Sequence, residues 1–194
     1  MAKKRVFIIH GWKGDPAEGW FPWLKKQLED RDFEVYVPAM PDPDKPKLEV
    51  WISYISNLVG QPDKDTYFIG HSSGCRAILS YLEKLPEDTK IGGAIFVAGW
   101  FMLTNLESDE DWETVKPWLE QLINFDKVKV HTKNFVAVFS ENDPYVPMDN
   151  RTIFEEGLGC KIIMVGQRGH LGGDDGIIEL SRVLEEILNM AKTK

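Results

Sequence analysis

Residues 70–74 read Gly-His-Ser-Ser-Gly, with an apolar run before them at 67–69 and an Ala/Ile/Leu-bearing helical pattern after them at 75–85. Gly-x-Ser-x-Gly in that setting predicts a sharp strand-to-helix reversal, the nucleophile elbow. The reversal forces the central residue into a strained backbone conformation, and only glycine leaves room at its flanks. The Ser72 hydroxyl would then project above the first turn of the helix, where the helix dipole favours developing negative charge. A hydroxyl so placed suits nucleophilic acyl transfer, given a base and an acid to orient it. Ser73 is a competing hydroxyl, but only Ser72 has glycine two residues away on both sides.

In this architecture the partners follow in the chain order serine, acid, histidine. His10 and His71 precede Ser72, and His131 lies on the approach to the apolar run at 135–139. Only His170 falls in a loop after the last such run, within Gly166-Gln167-Arg168-Gly169-His170. The acid is expected after the fifth run, where Asp143 is followed by Pro144, which stiffens the turn. Glu141 is its nearest rival, and Asp149 reads as the N-cap of the next helix. Two backbone N–H groups are needed for the oxyanion, and those of Ser73 and Trp12 are expected to supply them. His10 then holds the Trp12 loop by hydrogen bonds. Trp100 and Phe101, directly after the fourth run, are expected to join Trp12 as aromatic walls of a shallow pocket for short acyl chains.

The elements that must position these residues are legible as an alternation. Short apolar runs at 6–9, 33–37, 67–69, 91–98, 135–139 and 161–165 are rich in β-branched and aromatic residues. They lack clean polar alternation, as strands do when both faces are covered. Helical spacing recurs at 20–30, 48–59, 75–85, 150–156 and 177–190. Such alternation predicts an α/β fold with about six mostly parallel strands and helices on both faces. The stretch 100–133 shows no compact helical pattern and reads as a surface excursion or small cap, leaving no material for a large lid. The whole chain, 1–194, is expected to be one domain.

Composition excludes several classes. Lys and Arg total 23 against 31 Asp and Glu, a formal charge of −8, which argues against a nucleic-acid partner. Nothing approaches a membrane span, and the run at 6–9 is too short for a secretory signal, so a cytoplasmic location is expected. Two cysteines, Cys75 and Cys160, cannot form a disulfide framework and read as small buried hydrophobes. No metal-ligand spacing, dinucleotide fingerprint or Walker pattern occurs, so neither metal nor other cofactor is expected. The acidic run at 107–113 reads as a solvated face.

The pieces 8–12 (Ile-Ile-His-Gly-Trp), 20–24 (Trp-Phe-Pro-Trp-Leu), 40–43 (Met-Pro-Asp-Pro), 70–75, 142–144 and 169–170 run along most of the chain. Together they resemble the α/β-hydrolase superfamily, and within it the small serine hydrolases related to retinoblastoma-binding protein nine and their bacterial relatives. The resemblance implies a minimal α/β-hydrolase fold without the usual first two strands. It carries the catalytic triad onto Ser72, Asp143 and His170. It also implies activity on small acyl esters as small-molecule substrates, and the same triad chemistry would serve a thioester. A peptidase or acyltransferase would use the same triad, and a non-catalytic binding protein could share the fold.

Overall fold

The structure, a computed structural model, describes residues 3–192. Six strands form one sheet: β1 (Arg5–Ile9), β2 (Glu34–Tyr36), β3 (Thr66–His71), β4 (Gly93–Val97), β5 (Phe135–Phe139) and β6 (Lys161–Met164). Their order is β2-β1-β3-β4-β5-β6, and all five pairings are parallel. The helices are α1 (Phe21–Glu29), α2 (Leu48–Val59), α3 (Ser73–Glu83), α4 (Asp109–Glu120), α5 (Phe125–Lys129), α6 (Asp149–Thr152) and α7 (Ser181–Lys192).

Alternate strand residues face opposite sides of a sheet, and here both sides are apolar. Phe7, Ile9, Phe68, Phe96 and Phe135 pack with α2, α3 and the buried Val115, Trp118 and Val128 of α4 and α5. Val6, Ile8, Ile69, Ile95, Val97, Val136 and Val138 pack with Phe21, Leu24 and Leu28 of α1 and Val183 and Ile187 of α7. Each such side chain contributes about 1.5–3 kcal/mol when fully buried. This double coverage is why the strands read as apolar runs.

The strand order also locates the site. From β1 the chain winds outward to β2, and from β3 it winds the other way, so the direction reverses between neighbours β1 and β3. The crevice at the carboxyl ends of the strands at such a reversal is where open α/β sheets bind ligands. The loops after β1 and β3, carrying Trp12 and Ser72, therefore open side by side.

Several boundaries differ from the sequence reading. The stretch 100–133 contains α4 and α5, although no compact pattern announces them. Only Val115 and Trp118 of α4 are buried, three residues apart, so no apolar stripe forms, and Pro117 lies inside the helix. Ser108 caps it, its Oγ accepting the Asp111 N–H, and acidic residues fill the first turn, where the dipole favours them. Asp149 is not an N-cap: Met148 holds that position without a side-chain bond, and Asp149 is the first helical residue. α6 continues as a π-helical turn, Ile153–Gly157. The final helix starts at Ser181, because turns occupy much of the preceding glycine-rich stretch.

A fully buried side chain fastens the chain after β4. Asn150 Oδ1 accepts the N–H groups of Phe101 (2.6 Å) and Met102 (3.0 Å), and its Nδ2 donates to the carbonyls of Met102 and Pro147 (both 2.9 Å). Without it, the part-buried N–H groups of Phe101 and Met102 and the Met102 carbonyl lose these partners. Asn150→Ala should therefore lower the unfolding free energy by roughly 3 kcal/mol. The check is a lower urea midpoint at unchanged slope.

Candidate active site

β3 ends at His71 and α3 begins at Ser73, so Ser72 alone makes the turn, with φ 51° and ψ −120°. A side-chain-bearing residue there costs about 1–3 kcal/mol, which surrounding contacts must offset. The Ser72 N–H donates to Val97 O (2.9 Å) and its carbonyl accepts the Cys75 N–H (3.0 Å). A Cβ on Gly70 would lie 2.7 Å from Cys75 N, and one on Gly74 would run into the Ile9 carbonyl oxygen. Both glycines are needed because α3 starts hard against β1 and its own strand.

His170 Nε2 lies 2.9 Å from Ser72 Oγ, and its Nδ1 lies 2.8 Å from Asp143 Oδ2. The carboxylate can only accept, so Nδ1 carries the proton and Nε2 is free to accept from the hydroxyl. The Asp143 side chain is 4% exposed and that of His170 18%. The second carboxylate oxygen, Oδ1, accepts the N–H groups of Tyr145 (2.9 Å) and Val146 (3.0 Å), which aims the group. The rival Glu141 has an exposed side chain. His131 lies elsewhere, its Nδ1 donating to Thr89 O (2.8 Å). Ser73 is buried in the first turn of α3.

Among the described residues, neither the Trp12 nor the Ser73 N–H finds a backbone acceptor. The Trp12 loop is fixed from below by His10. Its Nε2 accepts the Met40 N–H (2.9 Å), which places the proton on Nδ1, and that proton is donated to Gly11 O (2.7 Å). Burial lowers the pKa of this ring, so it stays neutral in that role. The 40–44 segment completes the support: Lys13 N–H donates to Pro43 O, and Trp12 Nε1 donates to Asp44 O. His71 is also buried; desolvation first, then the neighbouring His170 ring, push its pKa down to about 3.

A cleft of about 290 Å³ opens above Ser72. Trp12, Trp100, Leu103, Val115 and Tyr145 give it apolar walls, and Glu107, Asp111 and Lys13 stand among its lining residues. The acidic run is thus not only a solvated face: Asp111 pairs with Lys13 (3.3 Å) and Glu110 with Lys45 (2.9 Å), joining α4 to the loops opposite. Phe101 does not line the cleft. Its ring packs against Phe125 and Phe154, and the Arg76 guanidinium lies over it at 4.8 Å.

Sequence reasoning missed three supports of this site. Arg76 is 1% exposed and donates to the carbonyls of Trp118 and Gln121, fastening the end of α4 to the elbow helix. Ser140 Oγ accepts the Arg168 N–H (2.8 Å), and Asn142 Oδ1 accepts that of Gly169 (2.9 Å). The only signal for this pair was their place in the loop that carries Asp143. Burial raises the pKa of both Cys75 and Cys160, which keeps them as thiols. Among the described residues, no group of three or more His, Cys, Asp or Glu could hold a metal ion, and no helix is long and apolar enough to cross a membrane.

The family model described as serine hydrolase matches residues 6–188, and the chain belongs to that family. YdeN of Bacillus subtilis (strain 168), named as a hydrolase, is 29% identical over 182 residues, covering 94% of this chain and 93% of that protein. The serine hydrolase RBBP9 of Rattus norvegicus is 27% identical over 190 residues, 97% of each chain. The crystal structure of the B. subtilis ydeN gene product superposes with a TM-score of 0.89 at 28% identity, covering 98% of this chain and 100% of that one. Est1E of Butyrivibrio proteoclasticus shares the fold at a TM-score of 0.67 and 17% identity, covering 96% of this chain and 89% of that one. The fold is that of the α/β hydrolases.

The buried neutral His71 makes stability pH-dependent. The unfolded chain takes up a proton on this residue near pH 6.5, while the folded chain resists until about pH 3. Stability is therefore lost as pH falls below about 6.5, by up to roughly 1.4 kcal/mol per unit from this residue. Urea unfolding at pH 7 and pH 5 should show wild type losing about 2 kcal/mol more than His71→Gln. Equal losses in the two proteins would contradict the assignment.

Proposed function

We propose that this serine hydrolase cleaves small carboxylic esters or thioesters through an acyl-enzyme on Ser72. The observation that carries the reading is the continuous relay from Ser72 Oγ through His170 to Asp143, at the carboxyl edge of the sheet and the floor of a cleft lined by both apolar and charged side chains.

Each atom then has a role. Ser72 Oγ attacks the acyl carbon as its proton passes to His170 Nε2. Asp143 keeps the ring in the right tautomer and stabilises the imidazolium that forms. The tetrahedral oxyanion is held by the Trp12 and Ser73 N–H groups, which have no backbone acceptor of their own, and the start of α3 adds its dipole. The imidazolium protonates the leaving group. A water molecule, deprotonated by the same nitrogen, then releases the acid and restores Ser72.

The cleft favours a short acyl group. Trp100 is 1% exposed and walls it, with Leu103 and Val115 beside. Each additional buried methylene would contribute ~0.8 kcal/mol only if it had room. Chains of about two to six carbons are the expected optimum.

Ser72→Ala should lower hydrolysis of 4-nitrophenyl acetate by at least about 10⁴-fold and abolish covalent capture of a labelled fluorophosphonate, with the fold intact. Trp100→Ala should move the preference among 4-nitrophenyl esters from acetate and butyrate towards octanoate. Turnover surviving in Ser72→Ala but lost in Ser73→Ala would refute the nucleophile. An unchanged chain-length profile in Trp100→Ala would refute the wall.

A further inference from the structure

We propose that His71 and Trp20 are positioning residues for His170, two buried N–H donors from separate elements that clamp consecutive carbonyls of the loop carrying the imidazole. The proposal rests on His170 being the base of the reaction proposed above.

Apart from its bonded turns, the segment 165–180 has no helix or strand of its own. Its backbone is left-handed at Gly166, Gly169, Leu171 and Gly176 (φ 76°, 61°, 60° and 70°). Glycine adopts that region freely, but a leucine avoids it, so neighbouring groups must hold Leu171 there. Two of them do so through its carbonyl and the one before. Trp20, at the start of α1, donates Nε1–H to Leu171 O at 2.9 Å. His71, at the end of β3, places Nε2 2.9 Å from His170 O, and a carbonyl can only accept, so Nε2 carries the proton. Trp20 is 1% and His71 6% exposed, the Leu171 side chain is fully buried, and the Trp20 and His71 rings meet edge to face at 6.3 Å.

With Ser140 and Asn142, four successive residues each bond a side chain from outside the loop through one backbone group: Arg168 and Gly169 by N–H, His170 and Leu171 by C=O. The first pair of supports comes from the loop of Asp143, and the second from the elbow and α1. His170 must reach Ser72 and Asp143 at once, and a rotation of the peptide between 170 and 171 would disturb both bonds. The His71 ring lies 5.1 Å from that of His170. Because it stays neutral, it supplies a donor without placing a second positive charge beside the imidazolium formed in the reaction.

The test compares His71→Leu, Trp20→Phe and His71→Gln, whose amide nitrogen can reach the position of Nε2. The readouts are kcat and KM on 4-nitrophenyl acetate, the rate of fluorophosphonate labelling, and hydrogen exchange by mass spectrometry over 165–176. In His71→Leu and Trp20→Phe, kcat and the labelling rate should fall about 10- to 100-fold with KM within about twofold, and exchange should rise in that segment while the sheet stays protected. His71→Gln should recover kcat to within about threefold and restore protection. Wild-type kcat and protection in both donor-less variants would overturn the clamp, as would His71→Gln falling as far as His71→Leu. A global rise in exchange would equally overturn it, by showing a merely structural loss. If His71→Leu does not fold, Trp20→Phe and His71→Gln decide the matter alone. If wild-type protein neither reacts with fluorophosphonate nor turns over ester, the hydrolase reading fails, and hydrogen exchange still decides whether the two donors hold the loop.

Discussion

The left-handed turn at Ser72 is the constraint on which the rest of the site depends. A serine at φ 51° is unfavourable by itself, and a tight shell of neighbours holds it there. β4 receives its N–H through Val97, α3 caps its carbonyl through Cys75, and two bare glycines let the helix start against β1. The parallel sheet supplies that shell because β3 lies at its middle, between β1 and β4. An edge strand would leave one of those neighbours missing.

Around that turn, buried polar groups are tied mainly to backbone. His10 bridges Gly11 and Met40, His71 reaches His170, Arg76 reaches Trp118 and Gln121, and Asn150 joins three loop residues. Backbone acceptors suit this task, since they are fixed in place and do not titrate. A side chain bonded to them locks a loop at one position, whereas an exposed ion pair such as Lys45–Glu110 contributes little. The cleft is thus bounded by loops that are separate in sequence but share buried anchors.

The resemblance to the family covers the whole sheet, and the sequence motifs gain physical meaning from it. The Met-Pro-Asp-Pro stretch lies far from Ser72 in sequence, yet its backbone closes over the Trp12 loop through Met40 N–H and Pro43 O. The tryptophan-rich stretch at 20–24 begins α1, and its first residue reaches across to Leu171. Neither feature bears on the chemistry directly; both hold the loops that do.

Local sequence determined much of this protein. The apolar runs became strands because they are rich in β-branched and aromatic residues; the central ones are covered on both faces, while the edge strands β2 and β6 each keep an exposed residue. The elbow was legible from Gly-x-Ser-x-Gly, whose glycines leave room for that turn. The partners Asp143 and His170 could be placed from chain order alone, since a parallel sheet delivers every strand-end loop to the same edge. What depended on distant contacts was not legible. α4 has only two buried residues and an internal proline, and what fastens its end is the buried Arg76, from a helix far earlier in the chain. Phe101 looked like Trp100 in sequence, but Asn150 holds the backbone after β4 so that only Trp100 reaches the cleft. The His170 loop carries no periodic pattern, and its shape comes from Trp20, His71, Ser140 and Asn142, residues up to 151 positions away. Periodicity and turn chemistry act within a few residues and can be read along the chain, whereas a hydrogen bond between loops exists only once the sheet has brought them together.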